Sequence, residues 1–120
     1  MPEKRLLIVD DLPDMGKIVE RTAVKLGYKV QVTTRGEDFM RAFGGFDPTT
    51  VMLDIIMPDI DGIEIIQWLY QRECRAKVFV ASAFNPRYAE MAETLGAVKG
   101  LDITFLDKPY RISDLRTALA

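Results

Sequence analysis

Five short apolar runs alternate with five stretches of helical period, and this alternation limits the fold more than any other feature of the chain. The strand candidates are Leu6–Asp10, Tyr28–Thr33, Val51–Asp54, Lys77–Ala81 and Ile103–Leu106. Four of them are nearly unbroken apolar runs, the pattern of parallel strands covered on both faces. The second differs: Tyr28, Val30 and Val32 alternate with Lys29, Gln31 and Thr33. Alternation implies one wetter face, which places this strand at a sheet edge.

The helix candidates fill the gaps. Met15, Ile18, Val19, Thr22 and Leu26 recur at helical spacing, with Pro13 near the start and Gly27 past the end. Phe39, Ala42 and Phe43 make a shorter stripe that Gly44–Gly45 should stop. Asp61 should open a third helix, since Asp61 and Glu64 have capping-box spacing, with Ile65, Ile66 and Leu69 buried. Tyr88, Met91, Ala92 and Leu95, ending at Gly96, form a fourth stripe, and Ile112, Leu115 and Leu119 a fifth. Strand and helix repeated in this way imply an α/β fold. It is a three-layer, doubly wound, five-stranded parallel sheet with right-handed crossovers and helices on both faces. At 120 residues the chain is the size of one domain, read as residues 1–120. A chain of that length buries roughly two-thirds of its unfolded surface and needs no staples.

Composition removes several chemistries. There is no histidine, so no Ser-His-Asp or Cys-His triad and no His-based metal site. One cysteine, Cys74, excludes internal disulfides and multi-Cys clusters and fits a reducing compartment. Sixteen Lys and Arg against eighteen Asp and Glu give a net charge of −2, with no bulk basic charge to attract nucleic acid. The apolar run after Arg5 is too short for a signal peptide. No window approaches the roughly 18 apolar residues of a membrane span, so the reading is cytoplasmic with no membrane contact. Carboxylates, lysines and hydroxyls remain for chemistry.

In an open parallel sheet the functional crevice lies at the carboxyl ends of the strands. Strand 1 ends in Asp10–Asp11, strand 3 in Asp54 and strand 4 in Ser82, and strand 5 runs into Asp107-Lys108-Pro109. Neighbouring strands lie about 4.8 Å apart, so Asp11 and Asp54 can sit side by side. At about 5 Å and an effective dielectric near 20, each carboxylate pair costs on the order of 3 kcal/mol. A hard divalent cation offsets that cost and favours oxygen ligands; Lys108 adds further positive charge. The set therefore predicts a magnesium site with open coordination positions. Taken singly, an Asp after a strand is most often a turn or cap residue, a Ser a turn hydroxyl and a Lys-Pro pair a loop. Their fall at separate ends of one sheet is what those readings do not explain.

The ordered set resembles the receiver domain of two-component response regulators. Its pieces are Leu7-Ile8-Val9-Asp10-Asp11, Leu53-Asp54-Ile55-Ile56-Met57-Pro58 with Asp61-Gly62, Ala81-Ser82-Ala83 and Asp107-Lys108-Pro109-Tyr110. The likeness covers essentially the whole chain. It implies a flavodoxin-like strand order 2-1-3-4-5, in agreement with the edge position read for strand 2. It also implies a phosphorylation-driven switch in which Asp54 takes a phosphoryl group from the phosphohistidine of a sensor histidine kinase or histidine phosphotransfer protein. The domain would then be no conventional enzyme but the catalyst of its own transfer and of slow acyl-phosphate hydrolysis.

By that resemblance Asp11, Asp54 and the backbone carbonyl of Ile56 bind magnesium (or manganese) directly, and Asp10 reaches it through water. Lys108 and Ser82 hold phosphoryl oxygens, and Ala83 leaves the group room. Met57 and Pro58 shape the loop, while Pro109 fixes Lys108. Phe105 falls at an aromatic switch position; read from the residues alone it is equally plain core. Helix 1, with Met15, Lys17 and Ile18, and the loop after strand 5 would dock the kinase. The output would be a state-dependent partner protein or an output domain beyond Ala120, and a homodimer is a further option.

Two departures from the family pattern stand out. The stretch between Gly96–Ala97 and Lys108, in which Ala97–Asp102 lies, is several residues longer than usual, which implies either a longer loop after helix 4 or an earlier start of strand 5 and puts a standard dimer mode in question. Ile56 and Phe84, at positions that tune hydrolysis, are apolar and cannot orient water, which implies a long-lived phosphorylated form. Three alternatives compete. The first is a pseudo-receiver acting only as an interaction module. The second is an Asp-nucleophile phosphatase, which would want Asp-x-Asp after strand 1 where the chain has Asp10-Asp11-Leu12-Pro13. The third is a flavin-binding domain, disfavoured by the acidic turn after strand 1.

Overall fold

The architecture of the chain was obtained as a computed structural model that describes residues 3–54, 59–60, 62–72, 74–82, 102–107 and 111–120, with only the backbone of residues 82 and 107. The elements are β1 (Arg5–Val9), α1 (Pro13–Lys25), β2 (Lys29–Thr33), α2 (Gly36–Phe46), β3 (Thr50–Asp54), α3 (Gly62–Gln71), β4 (Lys77–Ser82), β5 (Ile103–Asp107) and α4 (Ile112–Leu119). The five strands form one parallel sheet in the order β2-β1-β3-β4-β5, as expected. The Tyr88–Gly96 stripe and the Asp61 cap lie outside the described residues.

The central strands are apolar on both faces because both are covered. Successive side chains point to opposite sides. Leu7, Val9, Val51, Leu53, Val78 and Val80 pack with Phe39 of α2 and Ile65, Ile66 and Leu69 of α3. Leu6, Ile8, Met52 and Phe79 pack with Val19 and Ala23 of α1 and Leu115 and Leu119 of α4. Each fully buried Leu, Ile or Phe contributes about 1.5–3 kcal/mol relative to exposure. β2 does lie at the edge, with Lys29 and Gln31 exposed and Val30 and Val32 half-buried. Its last residue, Thr33, is buried, and its hydroxyl donates to the Ile8 carbonyl at 2.6 Å.

Two details differ from expectation. Gly44–Gly45 do not stop α2, which runs on to Phe46. Phe43 and Phe46 pack on the core, and their burial outweighs the ~1 kcal/mol that each helical glycine costs. The helix stops instead at Asp47, whose N–H makes the last helical bond, to the Phe43 carbonyl at 3.0 Å, and whose left-handed backbone (φ 50°) turns the chain out of the helix. Ile18 and Ile112 are exposed rather than buried; Ala23 takes Ile18's place in the buried stripe of α1. β5 starts at Ile103, as expected, and the Asp102 carbonyl accepts the Val78 N–H at 2.7 Å. No helix among the described residues is long and apolar enough to cross a membrane.

α2 also begins in an unexpected way. Its N-cap residue is Arg35, with the extended backbone of a capping residue (φ −133°, ψ 145°) but no side-chain cap bond. Asp59, on the connection between β3 and α3, supplies the acceptors instead. Its Oδ1 accepts from the Gly36 N–H at 3.0 Å and its Oδ2 from the Glu37 N–H at 3.2 Å.

Candidate metal centre

Two adjacent strands build the centre. β1 and β3 pair with Val9 opposite Leu53, so Asp10 and Asp54, the next residues outward, stand side by side. The Asp10 N–H donates to the Thr33 carbonyl at 3.1 Å, which keeps the main chain in the sheet one residue past β1. Asp10 Oδ1 then accepts the Leu12 N–H at 2.9 Å. This turn swings the chain into α1, where Pro13, preset to helical φ, opens the first turn. Asp11 sits within the turn and is exposed. Asp54, two residues after Met52, ends the row of β3 that faces α1 and α4.

One carboxylate oxygen from each of Asp10, Asp11 and Asp54 lies within 4.8 Å of the others. Asp10 and Asp54 are only 4% and 7% exposed, so water screens their repulsion poorly on one side, while Asp11 leaves the other side open. An all-oxygen, strongly anionic donor set with an open side fits a hard divalent cation. Cys74 adds nothing to this chemistry: burial pushes its thiol up, away from the nucleophilic thiolate.

The remaining expected site residues divide in two. Ser82 is the last residue of β4; Ala81 is level with Asp54, so Ser82 stands one residue farther out, opposite Asp107. Phe105 lies on the other face of the sheet from Asp54, half-buried against the Val78–Val80 cluster. Ile56, Met57, Pro58, Ala83, Phe84, Lys108, Pro109 and Tyr110 lie outside the described residues. On α1, Met15 is half-buried and Lys17 and Ile18 are exposed. Ile18 lines a groove of about 240 Å³ with Arg21, Lys25, Ile112 and Arg116.

Sequence reasoning missed Asp59. Partial burial pushes its carboxyl up, but the N–H groups of Gly36 and Glu37, helped by those of Asp59 and Ile60, outweigh this and hold it below the usual range. The one available signal was Arg35 directly before Gly36, a residue that cannot accept a bond from the helix it precedes.

Residues 6–120 match the family model of the response regulator receiver domain. The chain belongs to that family. This receiver domain is similar to chemotaxis protein CheY of Thermotoga maritima, with 32% identity over 117 residues, 97% of this chain and 94% of that protein. It is 30% identical to transcriptional regulatory protein TrcR of Mycobacterium tuberculosis over 92% of its own length but spans only 42% of that regulator. Among solved structures, a receiver domain from Bermanella marisrubri superposes with a TM-score of 0.85 at 28% identity, covering 98% of this chain and 96% of that one. The BeF3-activated DrrB receiver domain gives 0.80 at 24%, over 98% and 95%, a likeness of fold. The flavodoxin-like order read from the sequence is the order of the sheet.

Proposed function

We propose that this receiver domain, a single unit over residues 1–120, accepts a phosphoryl group on Asp54 in a magnesium-dependent reaction. The donor is the phosphohistidine of a sensor histidine kinase or histidine phosphotransfer protein, and the new charge redirects an output partner in the cytoplasm. The clustering of Asp10, Asp11 and Asp54 carries this reading. Of the three, Asp54 alone belongs to a strand paired on both sides, which makes it the best-held nucleophile.

A carboxylate oxygen of Asp54 attacks phosphorus. The O–P bond forms as the P–N bond to the donor imidazole breaks, and the freed nitrogen keeps the electron pair and takes up a proton. Bound by Asp11, Asp54 and the Ile56 carbonyl, with Asp10 acting through water, magnesium or manganese would neutralise charge on nucleophile and phosphoryl group alike. Lys108 and Ser82 would hold phosphoryl oxygens in the space that Ala83 leaves, with Met57, Pro58 and Pro109 shaping the loops. Phe105 would move inward by packing alone, since it lacks a hydroxyl. The exposed Ile18 and its basic-rimmed groove support α1 as the docking face for the kinase. Apolar Ile56 and Phe84 support a long-lived phosphoryl form. Nothing in the site favours an interaction-only module.

Incubation with a small phosphodonor and magnesium is expected to add one phosphoryl mass to the wild-type protein and none to Asp54→Asn. Equal uptake by the two would overturn the proposal.

A further inference from the structure

The end of the sheet opposite the carboxylates holds a cavity of about 400 Å³ that the phosphoryl reading does not use. It lies at the amino ends of β1, β3 and β4, a full strand or about 16 Å from Asp10 and Asp54. Its floor is apolar: Pro48 and Ala76 are buried and Phe43 is half-buried. Three guanidiniums line it, that of Arg5 on β1 and those of Arg72 and Arg75 in the turn from α3 to β4. Asp47 is the single carboxylate among the described residues of its wall; it is 86% exposed and lies 3.4 Å from Arg5. Arg72 and Arg75 have no carboxylate partner among the described residues, in a chain whose net charge is −2. Two of the three guanidiniums are held in place. The Arg5 side chain is only 24% exposed, and its Nε donates to the Asp47 carbonyl. The Arg72 guanidinium carbon lies over the Trp68 ring, 4.2 Å from its centre. Contact with a ring face holds a guanidinium without consuming its N–H donors, which stay available to an acceptor. An arginine at a helix end needs no ligand, since it offsets the negative end of the dipole, and α2 and α3 both end here. That role does not call for a hollow with an apolar floor.

We infer that this cavity is a binding site for a small organic oxyanion, a carboxylate or phosphate head carried on a compact apolar body. The guanidinium fork matches the oxygens of either head and meets them through charge-assisted hydrogen bonds. Phe43, Pro48 and Ala76 receive the body, and burial of its apolar surface adds to the attraction. The volume falls within the roughly 300–1,000 Å³ of small-molecule sites, and the lining follows their pattern of apolar walls with a few placed polar groups. Nucleic acid is a poorer match, because a polyanion needs a stripe of cations across a surface rather than three around a hollow. The site takes a ligand of opposite charge to that of the carboxylate centre and stands apart from the reading of Asp54.

Cys74 supplies the test, because it lines the same cavity and is the chain's single cysteine. Metal-free wild-type protein is titrated with phenyl phosphate and with benzoate, and with inorganic phosphate and benzyl alcohol as the separate parts. Calorimetry reads affinity, and the rate of Cys74 alkylation by iodoacetamide, followed by mass, reads place. The expected result is saturable binding of phenyl phosphate or benzoate that slows alkylation with the same midpoint; the tighter of the two identifies the head. Inorganic phosphate and benzyl alcohol should each bind about tenfold more weakly or worse. Arg72→Gln with Arg75→Gln should lower affinity about tenfold or more. Arg21→Gln with Arg116→Gln, in the basic groove between α1 and α4, should leave it unchanged. The variants are compared at a temperature at which their far-UV spectra equal that of wild type. In the wild-type protein alone, three results would each overturn the inference: no saturable binding of either probe, binding that leaves Cys74 unprotected, or inorganic phosphate bound as tightly as phenyl phosphate. Undiminished affinity in the Arg72, Arg75 variant would overturn it as well.

Discussion

Asp54 and Asp59 are the same side chain five residues apart, and the fold uses them in opposite ways. Asp54 is buried beside Asp10 and within reach of Asp11, so two of its neighbours are carboxylates. Asp59 meets two backbone N–H groups and a guanidinium at the end of a helix. The first arrangement sets like charges beside one another; the second sets a charge against donors. A carboxylate's role is therefore set by the donors the topology brings to it.

Stability measurements separate the two carboxylates. The largest effect should come from Asp54→Asn in buffer stripped of divalent ions: stability by urea unfolding should rise by up to about 3 kcal/mol, the cost of one such pair. Saturating magnesium should stabilise the wild-type protein and erase that advantage. A variant less stable than wild type without ions would show that the cluster is not repulsive. Next comes Asp59→Ala, which should lose about 1 kcal/mol under the same ion-free conditions, as for other lost caps. An unchanged urea midpoint would remove the contrast. The smallest effect is a pH dependence. The Asp59 carboxyl titrates below its ordinary value of 3.8 in the folded protein. Its contribution is therefore complete above that value and is lost as pH falls through the lower folded one. Acid unfolding of Asp59→Asn should show a shallower pH dependence across that interval; identical curves would mean the two N–H groups do not favour the charged form.

The sheet was legible because parallel strands covered on both faces read as unbroken apolar runs, and the edge strand betrayed itself through Lys29 and Gln31. The acidic cluster was legible because its members are the residues that end strands 1 and 3. Helix details were less so. Gly44–Gly45 read as a stop because propensity is local, whereas Phe43 and Phe46 answer to a core assembled from α3 and the sheet. Ile18 and Ile112 fit a buried stripe by spacing, yet both lie on the outer rim where α1 and α4 meet. Asp59 was invisible for a different reason: its partners precede it by more than twenty residues, and no periodicity links a loop carboxylate to the start of another helix.

The chain has one tryptophan, and its position limits what optics can report. Trp68 on α3 stacks edge-on to Phe43, with ring centres 5.3 Å apart, and carries the Arg72 guanidinium 4.2 Å from its ring centre. It also meets Phe39, on the face of the sheet opposite the row that Asp54 ends. Intrinsic emission from this protein therefore senses the seam between α2 and α3 rather than the carboxylates. An ion at the carboxylates that quenched or shifted that glow would have to do so mechanically, through the helix whose first turn Asp59 holds.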